Sequence, residues 1–387
     1  MTSGTQGLKL KKIRTQISQN LRLMGRKFGL WAHTPLRVVG CEEAGLFRSK
    51  KPLPREAPAS YPVLPQSHPH LCESTLWYGQ SWCAEIKKVT VYGPTVAVVD
   101  EKQRLLWDVS CEWGQPPELN WTMRRVWMPS TSFLKGRALI LAATGGESYY
   151  HWMMDVLPRI GLAKKNGFKL ESFDHFVVNG ITKPFQQETL HALGIPLEKC
   201  RVFGKRKKAY LCEDAILPSL PGPMGLPCPE TVEFLNSIFS AGQEKGAKLL
   251  FVGRGKGDRR PLEEAERIWT GLQKLGFAQI EPEKMSVAEQ ARAFRSARVI
   301  VGAHGAALAN LVFCRPGTQV IELFSPLYVN ACYRNLSLAA GLLHGGVIGN
   351  GRDWELSLSF DQASAPITAS WDLAKKALGM LRSSLVS

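Results

Sequence analysis

A turn that contains glycine and histidine follows an apolar run at residues 299–311, whose sequence is VIVGAHGAALANL. The pattern predicts a strand that ends at Gly302, a turn through His304 and Gly305, and a helix that begins at Ala306. Glycine lets a backbone approach a phosphate closely, and the first turn of a helix offers unpaired N–H groups at the positive end of its dipole. We therefore expect a diphosphate site, with His304 as a donor to a phosphate oxygen. The alternative is a turn that only allows strand and helix to pack closely.

Three arginines follow the first predicted strand of the second half of the chain. Arg254 comes almost directly after the apolar run at 249–252, which places its guanidinium at the carboxyl edge where a diphosphate would bind. Arg259 and Arg260 stand further along the loop, and we expect solvated charges there.

Two further polar residues lie within apolar segments of this half. Asn310 falls inside the predicted helix, where it contacts the ligand or only supports packing. Glu322 interrupts the apolar strand VIELF, so its carboxylate must be paired or lie at the sheet edge. Binding of ribose hydroxyls and an ion pair with a neighbour are both open.

A second cluster occurs in the run ESYYHWMMDVLPR at residues 147–159. His151, Asp155 and Arg159 are four residues apart, so a helix presents a base, a carboxylate and a cation on one side. Pro158 lacks the N–H that would bond to the preceding turn, and we expect the helix to kink beside Asp155. The alternative is an ion pair on an ordinary amphipathic helix.

The elements that would position these residues alternate between strands and helices. The first half contains a hairpin at 86–91 and 95–99, then strand 138–143, helix 149–163, strand 176–178 and helix 184–193. The second half contains strand 249–252, helix 261–275, strand 279–281, helix 286–296, strand 298–301, helix 306–313 and strand 319–323. This alternation predicts an α/β fold of two units, each with a parallel sheet covered by helices. Ligands of such sheets bind outside the carboxyl ends of the strands, so we expect a cleft between the units.

Breaks in this pattern suggest five segments. They are a basic arm and proline-rich linker at 1–69, a β-rich and α/β unit at 70–217, a hinge rich in proline and glycine at 218–229, a second α/β unit at 230–350, and a tail with a helix at 351–387.

Composition excludes several classes of protein. The chain has 387 residues, of which 44% are hydrophobic, enough to bury sizeable cores. Its apolar runs are shorter than the roughly 20 residues that span a bilayer, and its N-terminus lacks the apolar core of a secretory signal, so we expect a cytoplasmic protein. The nine cysteines form no CxxC pair, which argues against a zinc ribbon and favours reduced, mostly buried thiols.

The net charge of +16 favours anionic partners. Residues 8–29 place apolar side chains at helical spacing with bases between them, which is typical of a helix on an anionic membrane surface, such as the inner face of the membrane. A basic tail without this role is the alternative. Nucleic acid is not an expected partner, because the bases, including the run at 205–208, lack interleaved aromatic residues.

Three ordered motifs together resemble glycosyltransferase family 61: YYHWMMDVLPR at 149–159, FVGR at 251–254, and the run from 285 to 326 that contains the glycine turn. That family includes enzymes of the bacterial capsular-polysaccharide type, eukaryotic O-linked N-acetylglucosamine transferases and plant xylan transferases. The resemblance implies a GT-B architecture, in which two Rossmann-like units, here with a β-rich extension at the N-terminus, flank a cleft. The chain departs from the usual pattern at Gly253, where the family has serine, and at Ala307, where it has glycine.

The resemblance also implies roles for individual residues. The diphosphate would be held by Arg254, His304, Gly305 and Asn310. The nucleoside would be held by Glu322. The groups that face the reaction would be His151, Asp155 and Arg159.

The implied activity is inverting transfer of a sugar from a nucleotide sugar, expected to be UDP-linked, to a hydroxyl of a glycan or polysaccharide, in capsule or other cell-surface polysaccharide synthesis. Such a transfer needs a base for the acceptor hydroxyl, and Asp155 is preferred over His151. Because the chain contains no Asp-x-Asp pair, we predict catalysis without a metal or other cofactor, with the leaving diphosphate stabilised by cations and helix dipoles. The alternatives are a nucleotide-sugar epimerase or hydrolase, and a non-catalytic partner that binds the nucleotide sugar.

Overall fold

A computed structural model describes residues 13–14, 16–17, 20–21, 35, 37–46, 53–56, 63–64, 75–78, 81–93, 95–110, 112, 116–125, 128–203, 209–222, 226–239, 246–254, 260–350 and 364–383. The chain forms two compact units. Unit 1 contains residues 1–51 and 80–224, and unit 2 contains residues 52–79 and 225–387.

The described strands are β1 (Arg37–Val39), β2 (Leu53–Glu56), β3 (Val63–Leu64), β4 (Thr75–Tyr78), β5 (Cys83–Tyr92), β6 (Ala97–Val99), β7 (Arg104–Leu106), β8 (Thr131–Ile140), β9 (His175–Val178), β10 (Cys200–Val202), β11 (Ala209–Pro218), β12 (Leu249–Val252), β13 (Ala278–Ile280), β14 (Val299–Ala303), β15 (Gln319–Phe324) and β16 (Leu343–Ile348). The described α-helices are α1 (Tyr149–His151), α2 (Pro158–Lys165), α3 (Pro184–Ala192), α4 (Pro229–Ile238), α5 (Ala265–Lys274), α6 (Val287–Ser296), α7 (Cys332–Ala339) and α8 (Trp371–Ser383). Short 3-10 helices add Trp107–Val109, Pro117–Leu119, Leu170–Ser172, Leu197–Lys199 and Pro282–Lys284, and a longer one is Ala306–Phe313.

Unit 1 is built on one mixed sheet of eight strands, in the order β1-β7-β6-β5-β11-β8-β9-β10. The predicted hairpin is confirmed as β5 and β6, which pair antiparallel. The predicted parallel arrangement holds for β11, β8, β9 and β10, and β1 also pairs parallel with β7 at the opposite end of the sheet. Strand β11 was not predicted, because Glu213 and Asp214 interrupt its apolar run. It pairs antiparallel with β5 and parallel with β8, and so joins the hairpin to the parallel strands in a single sheet.

The helix predicted at 149–163 is interrupted by a π-helical turn, Trp152–Val156, between α1 and α2. Pro158 begins α2, and the N–H of Leu157 bonds to the carbonyl of Trp152 at 3.0 Å, five residues back. Because proline cannot donate within the helix, the backbone takes a wider turn at this point. The predicted irregularity beside Asp155 therefore takes the form of a π turn.

Unit 2 contains a six-stranded sheet in the order β13-β12-β14-β15-β16-β3, with every neighbouring pair parallel. Strands β12 to β15 lie close to their predicted positions, so the α/β prediction is confirmed for this unit. One sheet face packs on α5 and α8 through a large apolar cluster that includes Val301, Ile321 and Val347. Side chains alternate across a strand, so Glu322 and His344 lie on the opposite face, where the 3-10 helix Ala306–Phe313 and α7 pack.

The proline-rich segment at 52–69 differs from the predicted linker. It contains β2 and β3, and β3 pairs with β16 at the edge of the unit 2 sheet. Proline favours extended backbone in the residue before it and is tolerated on an edge strand, which explains both the pattern and the strand.

The predicted hinge at 218–229 lies where β11 ends, at Pro218, and α4 begins, at Pro229. The division between the two units falls within it, between residues 224 and 225.

The predicted arm helix at 8–29 lies mostly outside the described residues. Those that are described, 13–14, 16–17 and 20–21, are helical, and the side chains of Ile13, Ile17 and Leu21 are exposed. In the part of the chain that the structure describes, no helix has the length and apolar character needed to span a bilayer.

Candidate functional site

His304 follows β14 directly, and its imidazole is buried. Its Nδ1 contacts Glu322 Oε1, and its ring stacks on Phe324 with centroids 5.3 Å apart. The rings of Tyr328 and Tyr333 approach it edge-on, at 5.4 and 5.2 Å. The imidazole is therefore held by one carboxylate and three aromatic rings.

Glu322 lies within β15, with its side chain fully buried. Its register partners on the two neighbouring strands are Gly302 and Gly346, so no side chain stands beside the carboxylate on either strand. Glu322 Oε2 lies 3.0 Å from His344 Nε2, and His344 Nδ1 lies 2.9 Å from Ser337 Oγ. Both carboxylate oxygens of Glu322 thus lie beside imidazoles, which gives the carboxylate internal partners.

Two arginines lie beside His304 at the carboxyl edge of β12 and β14. Arg254 Nη1 donates to the backbone carbonyls of Arg260, at 2.6 Å, and His304, at 3.2 Å. A Cβ at Gly305 would come within 3.3 Å of Arg254 Nη2, so the glycine makes room for this guanidinium. Arg260 was expected to be a solvated charge, but its guanidinium lies over the Tyr328 ring, 4.7 Å from the centroid.

Burial shifts the ionisation of this cluster. It lowers the pKa of His304 well below its ordinary value, an effect increased by the positive charges of Arg260 and Arg254. It raises the pKa of Glu322 well above its ordinary value, against the opposing effect of Arg260. Burial also lowers the pKa of His344 to about 3. These shifts favour a His304–Glu322 pair without net charge, in which Oε1 and Nδ1 share one proton.

Gly302 has a packing role. A Cβ at this position would lie 2.7 Å from Leu308 Cδ2 and 3.3 Å from Val252 Cβ. The segment after it is a 3-10 helix rather than the predicted α-helix, and its first bond runs from Leu308 N to Gly305 O at 2.9 Å. Ala306 lies before this first helical bond, and backbone N–H groups at that point of a helix are the ones that can bind an anion.

Asn310 is fully buried in the 3-10 helix. Its Nδ2 donates to Gln290 Oε1 of α6 at 2.6 Å and to the Ala307 carbonyl at 2.9 Å. These contacts support the packing alternative, because the amide nitrogen joins two helices.

In unit 1, His151 and Asp155 form a pair across the π turn, with Nδ1 2.6 Å from Oδ2. The predicted i, i+4 contact is thus present. The side chain of His151 is 18% exposed and that of Asp155 is 3% exposed. His151 is therefore the member of the pair that a substrate can reach.

Arg159 occupies a different place from the one predicted, because its side chain is completely buried. Its Nε and Nη2 donate to the Pro218 carbonyl at 3.0 and 2.6 Å, and its Nη1 donates to the Ala142 carbonyl at 2.6 Å. Desolvation lowers the pKa of its guanidinium to about 10. Arg159 joins the carboxyl ends of β8 and β11 instead of facing a reaction.

Residues 149–321 match the family model described as Glycosyltransferase 61. We refer to this stretch as the family 61 segment. It begins two residues before His151 and ends one residue before Glu322, so it contains the His151–Asp155 pair, Arg254 and His304.

Part of the chain is also similar to a glycosyltransferase from rice. The beta-1,2-xylosyltransferase RCN11 of Oryza sativa subsp. japonica is 34% identical over 110 residues, which cover 24% of this chain and 21% of the relative. The match thus spans about a fifth of the relative's length. In the described part of the family 61 segment and around it, no group of three or more His, Cys, Asp or Glu side chains is arranged to hold a metal ion.

Sequence reasoning missed three residues around the family 61 motif: Ser337, His344 and Tyr328. His344 interrupts the apolar strand LHGGVI, as Glu322 interrupts VIELF. Two polar interruptions in apolar strands are a signal for a buried pair, but pairing them requires the order of strands in the sheet.

Replacement of Arg159 by methionine distinguishes a structural role from a contact with substrate. Loss of the guanidinium leaves two buried carbonyls without a donor, so we expect the free energy of unfolding in urea to fall by about 3 kcal/mol. Lys164→Met, at an exposed position of the same helix, serves as the control and should change it by less than about 0.5 kcal/mol. A stable Arg159→Met protein that only loses activity would instead indicate a substrate contact.

Proposed function

We propose that this chain is an inverting glycosyltransferase that moves a sugar from a nucleotide-sugar donor to a hydroxyl of a glycan. The observation that carries the proposal is the group of Arg254, Arg260 and His304 at the carboxyl edge of a parallel sheet, within or beside motifs of a family 61 segment. Parallel α/β sheets bind ligands at this edge. The rice relative is named for xylosyl transfer, which supports a glycan acceptor.

Unit 2 would hold the donor diphosphate. The guanidinium of Arg254 is fixed by two backbone carbonyls, and Arg260 adds a second positive charge near His304. Fixed cations stabilise an anion better than mobile ones, because they need no reorganisation as charge develops on the leaving group. A nucleotide sugar is thus the donor class that this site fits, and UDP is the nucleotide we propose.

Unit 1 would supply the base. Its more exposed member is His151, whose Nδ1 is held by Asp155 at 2.6 Å. We therefore assign proton acceptance to His151 and positioning to Asp155, which reverses the preference drawn from the sequence. The acceptor oxygen bonds to the anomeric carbon, the bond from that carbon to the diphosphate breaks with its electron pair, and the hydroxyl proton passes to His151.

Several finer features belong to the same proposal. They are a GT-B arrangement of the two units, catalysis without a metal, a cytoplasmic location, and a role in capsule or other cell-surface polysaccharide synthesis. The GT-B arrangement and the role in polysaccharide synthesis are supported by the family resemblance.

Donor binding is the first prediction. UDP or a UDP-sugar, including UDP-xylose, should stabilise the folded protein by about 2.7 kcal/mol at a concentration 100-fold above its Kd, measured as a rise in Tm. EDTA should leave this rise and the transfer activity unchanged. Arg254→Met should weaken binding about 10- to 100-fold through loss of a charge-assisted contact, whereas Arg267→Met, on the exposed surface of α5, should not. Loss of the rise in EDTA would refute metal independence, and no rise with any nucleotide would refute the donor site.

Catalysis gives the second prediction. His151→Ala should lower kcat about 10²- to 10⁴-fold, the contribution of a general base, with little change in donor Kd. Asp155→Asn should have a smaller effect in the same direction, and His191→Ala, at an exposed position, should have none. Product formed without an acceptor would indicate an epimerase or hydrolase. Donor binding without any turnover would indicate a binding partner.

Membrane association through the basic arm is a further proposal, supported by exposure of Ile13, Ile17 and Leu21 at four-residue spacing. Replacing all three by glutamine should abolish co-sedimentation with phosphatidylglycerol vesicles, because buried apolar area and attraction to anionic lipid act together. Phe133→Gln is the control, since Phe133 is exposed but lies in β8 of unit 1. Binding that survives the triple replacement, or that is equal on phosphatidylcholine, would contradict this role.

A further inference from the structure

A row of polar side chains crosses the interior of unit 2. It runs from Ser337 on α7 to His344 on β16, Glu322 on β15 and His304 at the end of β14. Each of the four is at least 95% buried. His344 Nε2 lies 3.0 Å from Glu322 Oε2, an approach without hydrogen-bond geometry, and neither atom has a hydrogen-bond partner among the described residues. Buried polar groups are costly, so the position of the hydrogen on each member of the row is constrained by the member beside it.

We propose that Ser337 and His344 are positioning residues that act through Glu322 to keep a hydrogen on His304 Nε2, and that this N–H binds the diphosphate of the donor. The inference rests on the proposed function and extends it to two residues outside the family 61 segment.

Ser337 determines which nitrogen of His344 carries the hydrogen. Within the described part of the chain, its hydroxyl has one polar contact, His344 Nδ1 at 2.9 Å. If Nδ1 carried a hydrogen and donated to Ser337, the buried O–H would have no acceptor. The hydroxyl therefore donates to Nδ1, and the hydrogen of a neutral His344 must lie on Nε2.

The hydrogen on His344 in turn determines where Glu322 and His304 hold their shared proton. A neutral His344 carries its hydrogen on Nε2, and Glu322 Oε2 lies only 3.0 Å away, which leaves no room for a second hydrogen on Oε2. The remaining shared proton therefore lies between Glu322 Oε1 and His304 Nδ1. In a pair without net charge, His304 Nε2 carries a hydrogen whichever of these two atoms holds the proton. With the opposite orientation of His344, Glu322 would carry its proton on Oε2 and His304 Nε2 would be a bare acceptor.

A hydrogen on Nε2 matters because phosphate oxygens at neutral pH mainly accept hydrogen bonds. A bare nitrogen would present a lone pair to the anion and repel it. Among the described residues, the two arginines near His304 add attraction for an anion. The charged or titratable groups around the imidazole are Glu322, His344, Arg254, Arg260, Tyr328 and Tyr333. The row thus makes the imidazole a donor without requiring it to be charged.

The pH dependence follows from the same pair. Burial raises the pKa of Glu322, which keeps the shared proton in place at neutral pH. When a higher pH removes this proton, Nε2 becomes an acceptor and diphosphate binding weakens. Loss of the constraint at Ser337 should move this fall in affinity to a lower pH.

The test is Ser337→Ala, a small change that keeps the helix. NMR of ¹⁵N-histidine, assigned with His304→Gln, should show a protonated Nε2 on His304 in the wild-type protein without ligand. In Ser337→Ala we expect this signal to shift toward a bare nitrogen, and the Kd for UDP to rise about 10- to 100-fold, as for one hydrogen bond to a charged group. Ser296→Ala is the matched control, because Ser296 is also buried in unit 2 but lies outside the row.

Replacements of His344 provide a second arm. His344→Leu should weaken UDP binding as Ser337→Ala does, and His344→Gln should restore part of it, since an amide N–H can donate to Glu322. A bare Nε2 in the wild-type protein, or an unchanged Kd and pH profile in Ser337→Ala, would overturn the inference while leaving the proposed function intact. Absence of UDP binding by the wild-type protein, with Nε2 protonated, would instead count against the proposed donor site.

Discussion

Burial of the Glu322 carboxylate inside a parallel sheet dictates much of the structure around it. A charge at this depth is costly unless it is neutralised or bonded, and here both oxygens meet imidazoles, from His304 and His344. The carboxylate also needs space, and glycines stand beside it on both neighbouring strands. The position of His304, and with it the edge of the candidate donor site, therefore depends on Glu322.

Unit 1 also buries a charged side chain, the guanidinium of Arg159. Its N–H groups bind carbonyls at the ends of β8 and β11, and the negative charge of Asp155 opposes the lowering of its pKa by burial. These bonds join helix α2 to the sheet edge, next to the π turn that carries Asp155. Arg159 thus has a structural role, although its spacing from His151 and Asp155 is that of a residue on one helix side.

Sequence patterns predicted the elements better than the pairing of elements. Strand β12 and its parallel neighbours were predicted nearly residue for residue, because continuous apolar runs are typical of buried parallel strands. Strand β11 was missed, since adjacent acids break its pattern, and the short strand β3 was obscured by prolines. In the site, Arg254 and His304 were predicted from their place after strands, whereas Arg260 was expected in solvent and lies against an aromatic ring.

The sequence alone determined the α/β class of unit 2, the glycine turn after β14, the i, i+4 pair of His151 and Asp155 and the resemblance to family 61. All of these depend on residues close together in the chain, where local backbone geometry sets the spacing. The tertiary structure decided which polar groups are buried together. His304, Glu322 and His344 are 18 and 22 residues apart in turn, and only the strand order β14-β15-β16 brings them into contact. Whether a carboxylate binds a ligand or an internal partner depends on that order, because the cost of burying its charge is set by what lies beside it.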